Sequence, residues 1–231
     1  MTEKDSGLFD EMHAAAYDKT SESLAPFKSA LHILMRSILR ELPERAHVLC
    51  VGAGTGAELL FLADAFPNWE FTALDISAPM LDVCRERVSS AGCAERCQMH
   101  VGPVSSLAAA ASFDAATCIL VSQFLTNLDE RRELFEGIHA RLRSGGLLVS
   151  ADLSVDTDDI HHASILEIWR RTLEYSVLAE QQVNRPTTAP GSRVAVLPER
   201  AIEALIATAG FARPTRFFQA GLIHAWFTKR G

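Results

Sequence analysis

Glycines alternate at Gly52, Gly54 and Gly56, and a carboxylate, Asp75, follows a short way down the chain. Glycine lets a backbone take positive φ and come within touching distance of a ligand, so Gly52-Ala53-Gly54-Thr55-Gly56 can wrap a bound molecule. A bulky side chain at Gly52 or Gly54 would fill that space. A carboxylate in the place of Asp75 suits the hydroxyls of a ribose. Binding is thus the chemistry on offer, and neighbouring elements must bring loop and acid together. The apolar run ending at Val51 predicts a buried strand, Ala57 to Phe66 has helical composition, and Glu70 to Leu74 predicts a second strand closed by Asp75. A helix that starts at the loop offers it unpaired N–H groups. If the two strands are parallel neighbours, Asp75 stands beside the loop.

These residues resemble the first motif of class I S-adenosylmethionine-dependent methyltransferases, which reads strand, GxGxG, helix, then an acid closing the second strand. The resemblance covers about residues 45 to 230. It implies S-adenosylmethionine as cofactor, held by Gly52, Ala53, Gly54, Gly56 and Asp75. Ile76-Ser77-Ala78-Pro79-Met80 continues it: Ser77 caps a helix, Pro79 occupies its first turn, and Ile76 and Met80 are implied to flank the adenine. Tyr17-Asp18 matches a Tyr-Asp pair in the family's N-terminal lid, and the resemblance implies that Tyr17 faces the cofactor. Two positions depart from the pattern. Most members carry an adenine-binding Asp where this chain has Pro103, so the N–H of Val104 is expected to reach an adenine nitrogen instead. Members also carry Asp or Glu two residues before the first glycine, and this chain has Cys50. Losing both polar anchors predicts weaker cofactor binding.

The remaining chain fits one large α/β unit. Phe27, Leu31, Leu34, Ile38 and Leu42 recur at helical spacing up to Pro43, and residues 1–44 are expected to form a helical lid on a cofactor domain of residues 45–231. Gln98–Val101, Phe113–Val121 and Leu147–Ala151 predict the third to fifth strands, and Asp129–Arg143 a helix ended by Gly145-Gly146. Ligands in open α/β sheets lie at the carboxyl ends of strands, which puts Ile119 at the cofactor and Gln123 at the substrate edge. A polar insertion, about 156–197, is expected to shape the substrate pocket, with Arg185 and Arg193 suited to a carboxylate or phosphate. Pro198–Ala209 predicts a helix and Pro214–Lys229 a hairpin turning near Ala220-Gly221. The resemblance implies a Rossmann-like, mostly parallel, seven-stranded sheet whose last strand is antiparallel, with helices on both faces.

Composition narrows the partners. The 231 residues carry a net charge of −7 with a pI near 5.6, which argues against a stable nucleic-acid partner. No apolar run reaches the roughly 18 residues of a membrane span, and the polar start MTEKDSG is unlike a signal peptide, so a cytoplasmic protein is expected. Cys93 and Cys97 lack a second pair at zinc spacing, and no metal is expected. A small-molecule substrate is expected, and a homodimer is admitted without any residue pattern arguing for it.

Methyl transfer from a sulfonium is an in-line displacement, so alignment of the acceptor is the main requirement. No catalytic residue is assigned, although Asp152, His161 and His162 are the candidate bases near a strand end. Three other readings stand. Gly52, Gly54, Ala57 and Asp75 also satisfy the dinucleotide pattern of NAD-dependent oxidoreductases. Residues 122–153 and 210–219 are similar to carboxy-S-adenosylmethionine synthases, which hold a carboxylated cofactor through an arginine beyond the fifth strand, near Arg185. Cys50 and Pro103 also admit a fold that binds a nucleoside without catalysis.

Overall fold

Short apolar runs alternating with helical segments assemble into a single seven-stranded sheet with helices on both faces. The computed structural model describes residues 24–108, 113–174 and 194–231. Helix α1 spans Ala25–Leu39, and the alternating units that follow are β1 (His47–Val51), α2 (Ala57–Ala65), β2 (Glu70–Asp75), α3 (Ala78–Ser90) and β3 (Cys97–Val101). Then come β4 (Phe113–Ile119), α4 (Leu128–Arg141), β5 (Leu142–Leu153), α5 (His162–Glu174), α6 (Glu199–Thr208), β6 (Thr215–Ala220) and β7 (Ile223–Lys229).

The strand order is β3-β2-β1-β4-β5-β7-β6. Strands β1 to β5 are parallel, while β7 runs antiparallel to both β5 and β6. The expected single reversed strand is therefore β7, inserted between β5 and β6. Central strands buried on both faces read as continuous apolar runs, as β1 and β4 do. Alternate residues feed opposite layers. Val48 and Cys50 pack with Met35, Leu39, Leu59, Leu62 and Leu81 from α1, α2 and α3. Leu49 and Val51 face Phe135, Ile138, Ile202 and Ile206 from α4 and α6. Helix α5 lies against the carboxyl edge, where Trp169 and Leu173 pack with Leu153, Leu222 and Ile223.

Three boundaries differ from the sequence expectation. Helix α1 stops at Leu39, with Arg40 as its cap, before Leu42 and Pro43. Helix α4 stops at Arg141, because Leu142 turns extended and pairs with Phe113 as the start of β5. Helical periodicity extends to Arg143 only because a buried strand residue such as Leu142 satisfies it too. Strand β4 ends at Ile119 rather than Val121, because Leu120 takes φ 59°, the one positive-φ non-glycine among the described residues. Among those residues, no helix is long and apolar enough to cross a membrane.

Candidate functional site

Register decides the site. Val51 is level with Leu74 on one side and Cys118 on the other, so the carboxyl ends of β1, β2 and β4 form one rim. The chain winds outward from β1 to β3 and returns to β4, so the loop after β1 occupies the switch point where open α/β sheets bind ligands.

The loop glycines are needed for three different reasons. Gly52 has φ 64°, and a Cβ there would collide with Val121 Cγ2. Gly56 has φ 85°, and a Cβ would meet Cys84 Sγ at 2.6 Å, so it permits the close approach of α3. Around Gly54, φ 54°, the nearest atom to such a Cβ is Gly52 O at 4.0 Å, which leaves open space for a ligand. The loop is tied down from several sides. Ala53 N–H donates to Leu74 O at 3.0 Å, and Arg87 of α3 donates to Thr55 Oγ1 at 3.0 Å.

Asp75 closes β2 and joins this loop directly. Its Oδ2 accepts from Gly54 N–H and its Oδ1 from Ser77 N–H, each at 2.9 Å. Burial raises its pKa, while the N–H groups of Ser77, Gly54 and Ile76 pull the other way. A carboxylate has about four acceptor positions, so this half-buried group keeps capacity for sugar hydroxyls. The first turn of α2 begins at Gly56 with no side-chain cap, leaving N–H groups for an anionic end of a ligand. Open space, an acceptor and uncapped donors together fit an amino-acid nucleoside.

The other expected residues divide. Ile76 is half-buried beside Asp75, and Met80 is buried one turn on, with its N–H bonded to Ser77 Oγ at 3.3 Å. Val104 opens a short 3-10 turn capped by Pro103 without a side-chain bond, while its side chain packs near Gly137 of α4. Ile119 is half-buried at the end of β4. Gln123 is only 6% exposed: its Oε1 accepts from Leu153 N–H at 2.9 Å and its carbonyl from Ala195 N–H at 2.8 Å. Its amide oxygen thus braces the backbone. Tyr17, Arg185 and Arg193 lie outside the described residues.

Asp152 is no base, because it is fully buried in an ion pair with Arg131 at 2.7 Å and also accepts from Ser122 Oγ. Arg131 further donates to Ser122 Oγ at 2.8 Å and to Ala195 O at 3.0 Å. This network joins α4, β5 and the turn after β4. His161 is exposed and His162 half-exposed, at the start of α5.

Glu58 escaped the sequence reading. It sits in the first turn of α2, 8% exposed, and Thr117 Oγ1 donates to its Oε1 at 2.5 Å. Cys50, level with Thr117 in the next strand, also bonds to it. Burial lifts Glu58 to a pKa of about 7, against the lowering effect of the Thr117 and Cys50 bonds. The available signal was its place two residues after the last loop glycine, in a helix buried on the sheet side.

A mostly parallel sheet with this winding, a glycine loop after β1 and an acid ending β2 define a nucleoside-binding α/β domain. The dinucleotide oxidoreductase order places the sixth strand directly beside the fifth, whereas here β7 intervenes. Residues 48–146 match the family described as methyltransferase domain. A carboxy-S-adenosyl-L-methionine synthase of Chromohalobacter salexigens is 27% identical over 218 residues, 91% of this chain and 78% of that one. A malonyl-acyl-carrier-protein O-methyltransferase of Magnetococcus marinus is 32% identical over 116 residues, covering 50% of this chain and 41% of that one. The structure of an O-methyltransferase family protein from Burkholderia thailandensis shares the fold with a TM-score of 0.63 at 16% identity, over 87% of this chain. The chain spans 56% of that longer protein. Residues 48–146 thus carry a methyltransferase domain, and along most of its length the chain is similar to enzymes that work with S-adenosylmethionine.

Proposed function

We propose that the protein transfers the methyl group of S-adenosylmethionine to a small-molecule acceptor, using the loop Gly52–Gly56 and Asp75 to hold the cofactor. The supporting observation is the pairing of Asp75 Oδ2 with Gly54 N–H at 2.9 Å beside the open space over Gly54. In this reading Asp75 takes the ribose hydroxyls, Ile76 and Met80 flank the adenine, and Val104 N–H meets an adenine nitrogen. Ile119 borders the cofactor at the end of β4. Glu58 supplies from α2 the carboxylate that the strand lacks at Cys50. When bound, the cofactor supplies an activated methyl group, and the protein's part is alignment, worth roughly 7 to 11 kcal/mol in favourable cases. The lid role falls to residues ahead of α1, Tyr17 among them, since Leu31, Met35 and Leu39 of α1 are core. Residues 45–231 then form the catalytic unit, with Arg185 and Arg193 of the insertion about 156–197 on the substrate. The acidic net charge of −7 favours a small acceptor over nucleic acid. An acceptor screen with methyl-labelled cofactor tests the proposal: label should pass to a small molecule, and cofactor binding without transfer to any acceptor would leave the non-catalytic reading.

A second reading is favoured by one observation, the match of a carboxy-S-adenosyl-L-methionine synthase along 91% of this chain. In that reading the cofactor carries a carboxyl group. Mass spectrometry of the ligand that co-purifies with the protein distinguishes the two, since only the second predicts the added mass of a carboxyl group.

A further inference from the structure

Beyond β5, the carboxyl edge of the sheet holds a second cavity. It measures about 630 Å³ and opens between the start of α5, helix α6 and the strands β6 and β7. No residue of its wall belongs to the glycine loop, and β4 and β5 separate it from β1 in the sheet.

His224 on β7 forms part of the wall and is 7% exposed, yet its Nδ1 has no hydrogen-bond partner among the described residues. Buried ring nitrogens are ordinarily paired, so this one calls for a partner from outside the protein. Burial first, and then the nearby Arg216, lower its pKa to about 4, so the ring is neutral at neutral pH.

The charges on the wall state what that partner should be. Four carboxylates, Asp156, Asp159, Glu199 and Glu203, face two guanidiniums. Arg200 is held by Asp156 at 3.3 Å and Arg216 by Glu199 at 2.5 Å. Glu203 is oriented by Trp226 Nε1 at 3.2 Å and Asp159 by the N–H of His161 at 2.7 Å, both neutral donors. Two carboxylates therefore have no cationic partner among the described residues, and both arginines are already engaged. An anion would meet net negative charge, and the described residues include no cluster of three side chains able to hold a metal ion.

We propose that this cavity binds a small organic amine, its ammonium group matched to Glu203 and Asp159 and a further polar atom to His224, independently of the cofactor site. Calorimetric titration of the full chain with putrescine tests it. Saturable binding is expected, with a dissociation constant changed less than about twofold by saturating S-adenosylhomocysteine, because the two sites share no residue. Glu203→Gln, which keeps an oxygen for Trp226, should weaken putrescine at least about tenfold, the scale of a charge-assisted hydrogen bond. Asp159→Asn, at an exposed position, repeats the test if Glu203→Gln fails to fold. The proposal is overturned if putrescine does not saturate, if inorganic phosphate binds in its place, if S-adenosylhomocysteine displaces it, or if neither variant weakens it. Because the readout is binding, this result stands apart from whether methyl transfer is found.

Discussion

Glu58 changes charge near neutral pH. Its folded pKa of about 7 lies above the ordinary 4.5, so the fold prefers it protonated. That contribution is complete below pH 4.5 and is lost as pH rises through 7, at a cost of up to about 3 kcal/mol. Glu58→Gln keeps an acceptor for Thr117 and should flatten the pH dependence of urea unfolding between about pH 5 and 8. Cofactor binding should show the opposite slope, because the ionised Glu58 attracts a cationic sulfonium: affinity should rise with pH through about 7 in the native protein and be level in Glu58→Gln. Equal slopes in both proteins would detach Glu58 from the cofactor. At Asp75, replacement by Asn removes a charged acceptor shared by Gly54 and Ser77 and, in the proposed reading, by the ribose. A charged hydrogen bond is worth about 1.5–3 kcal/mol, so the dissociation constant for S-adenosylmethionine should rise roughly ten- to hundredfold by calorimetry.

The loop between β1 and α2 behaves as an element with separable jobs. Gly52→Ala drives a Cβ into Val121 and Gly56→Ala drives one into Cys84, both at positive φ. Each should lower stability by about 1–3 kcal/mol, read as a shift of the urea midpoint. Gly54→Ala meets open space, so its stability cost should be limited to the roughly 1–2 kcal/mol of a left-handed residue, while cofactor affinity falls. Loss of stability without loss of affinity at Gly54 would place the ligand elsewhere. The segment after β4 is the loop's counterpart. Leu120 holds φ 59°, anchored by its N–H on Ala151 O at 2.8 Å, and the next residue, Val121, lies over Gly52. Strain of this kind, of order 1–3 kcal/mol, persists only where the surroundings enforce it.

Across the whole molecule, β4–β5 pairing carries the sheet from the cofactor half into the β5–β7–β6 half, and the buried trio Arg131, Asp152 and Ser122 braces that joint. Arg131 and Asp152 are both 0% exposed, so Arg131→Met would leave a buried carboxyl group without its partner. Loss of one member of a buried pair costs about 3–5 kcal/mol, and unfolding by urea should register it as a large drop in midpoint. A change below about 1 kcal/mol would show that the joint is dispensable.

Much of this molecule was open to reading from the chain alone. Glycine spacing, a terminal acid and apolar runs specified the strand–loop–helix unit, because positive φ and burial on both faces restrict residue type locally. Gly52, Gly54, Gly56 and Asp75 were legible for that reason, as were Ser77 as a cap and the hairpin at Ala220-Gly221. Tertiary structure alone decided the rest. Arg131 reaches Asp152 from twenty-one positions earlier in the chain, and the N–H of Leu153 takes the amide oxygen of Gln123. Glu58 became a buried acid only when α2 lay down over Cys50 and Thr117, and His224 acquired its cavity only when α6 and α5 closed around β7. Side-chain type carries local conformation, but burial and charge partners come from elements remote in sequence, and no local pattern encodes which of them will meet.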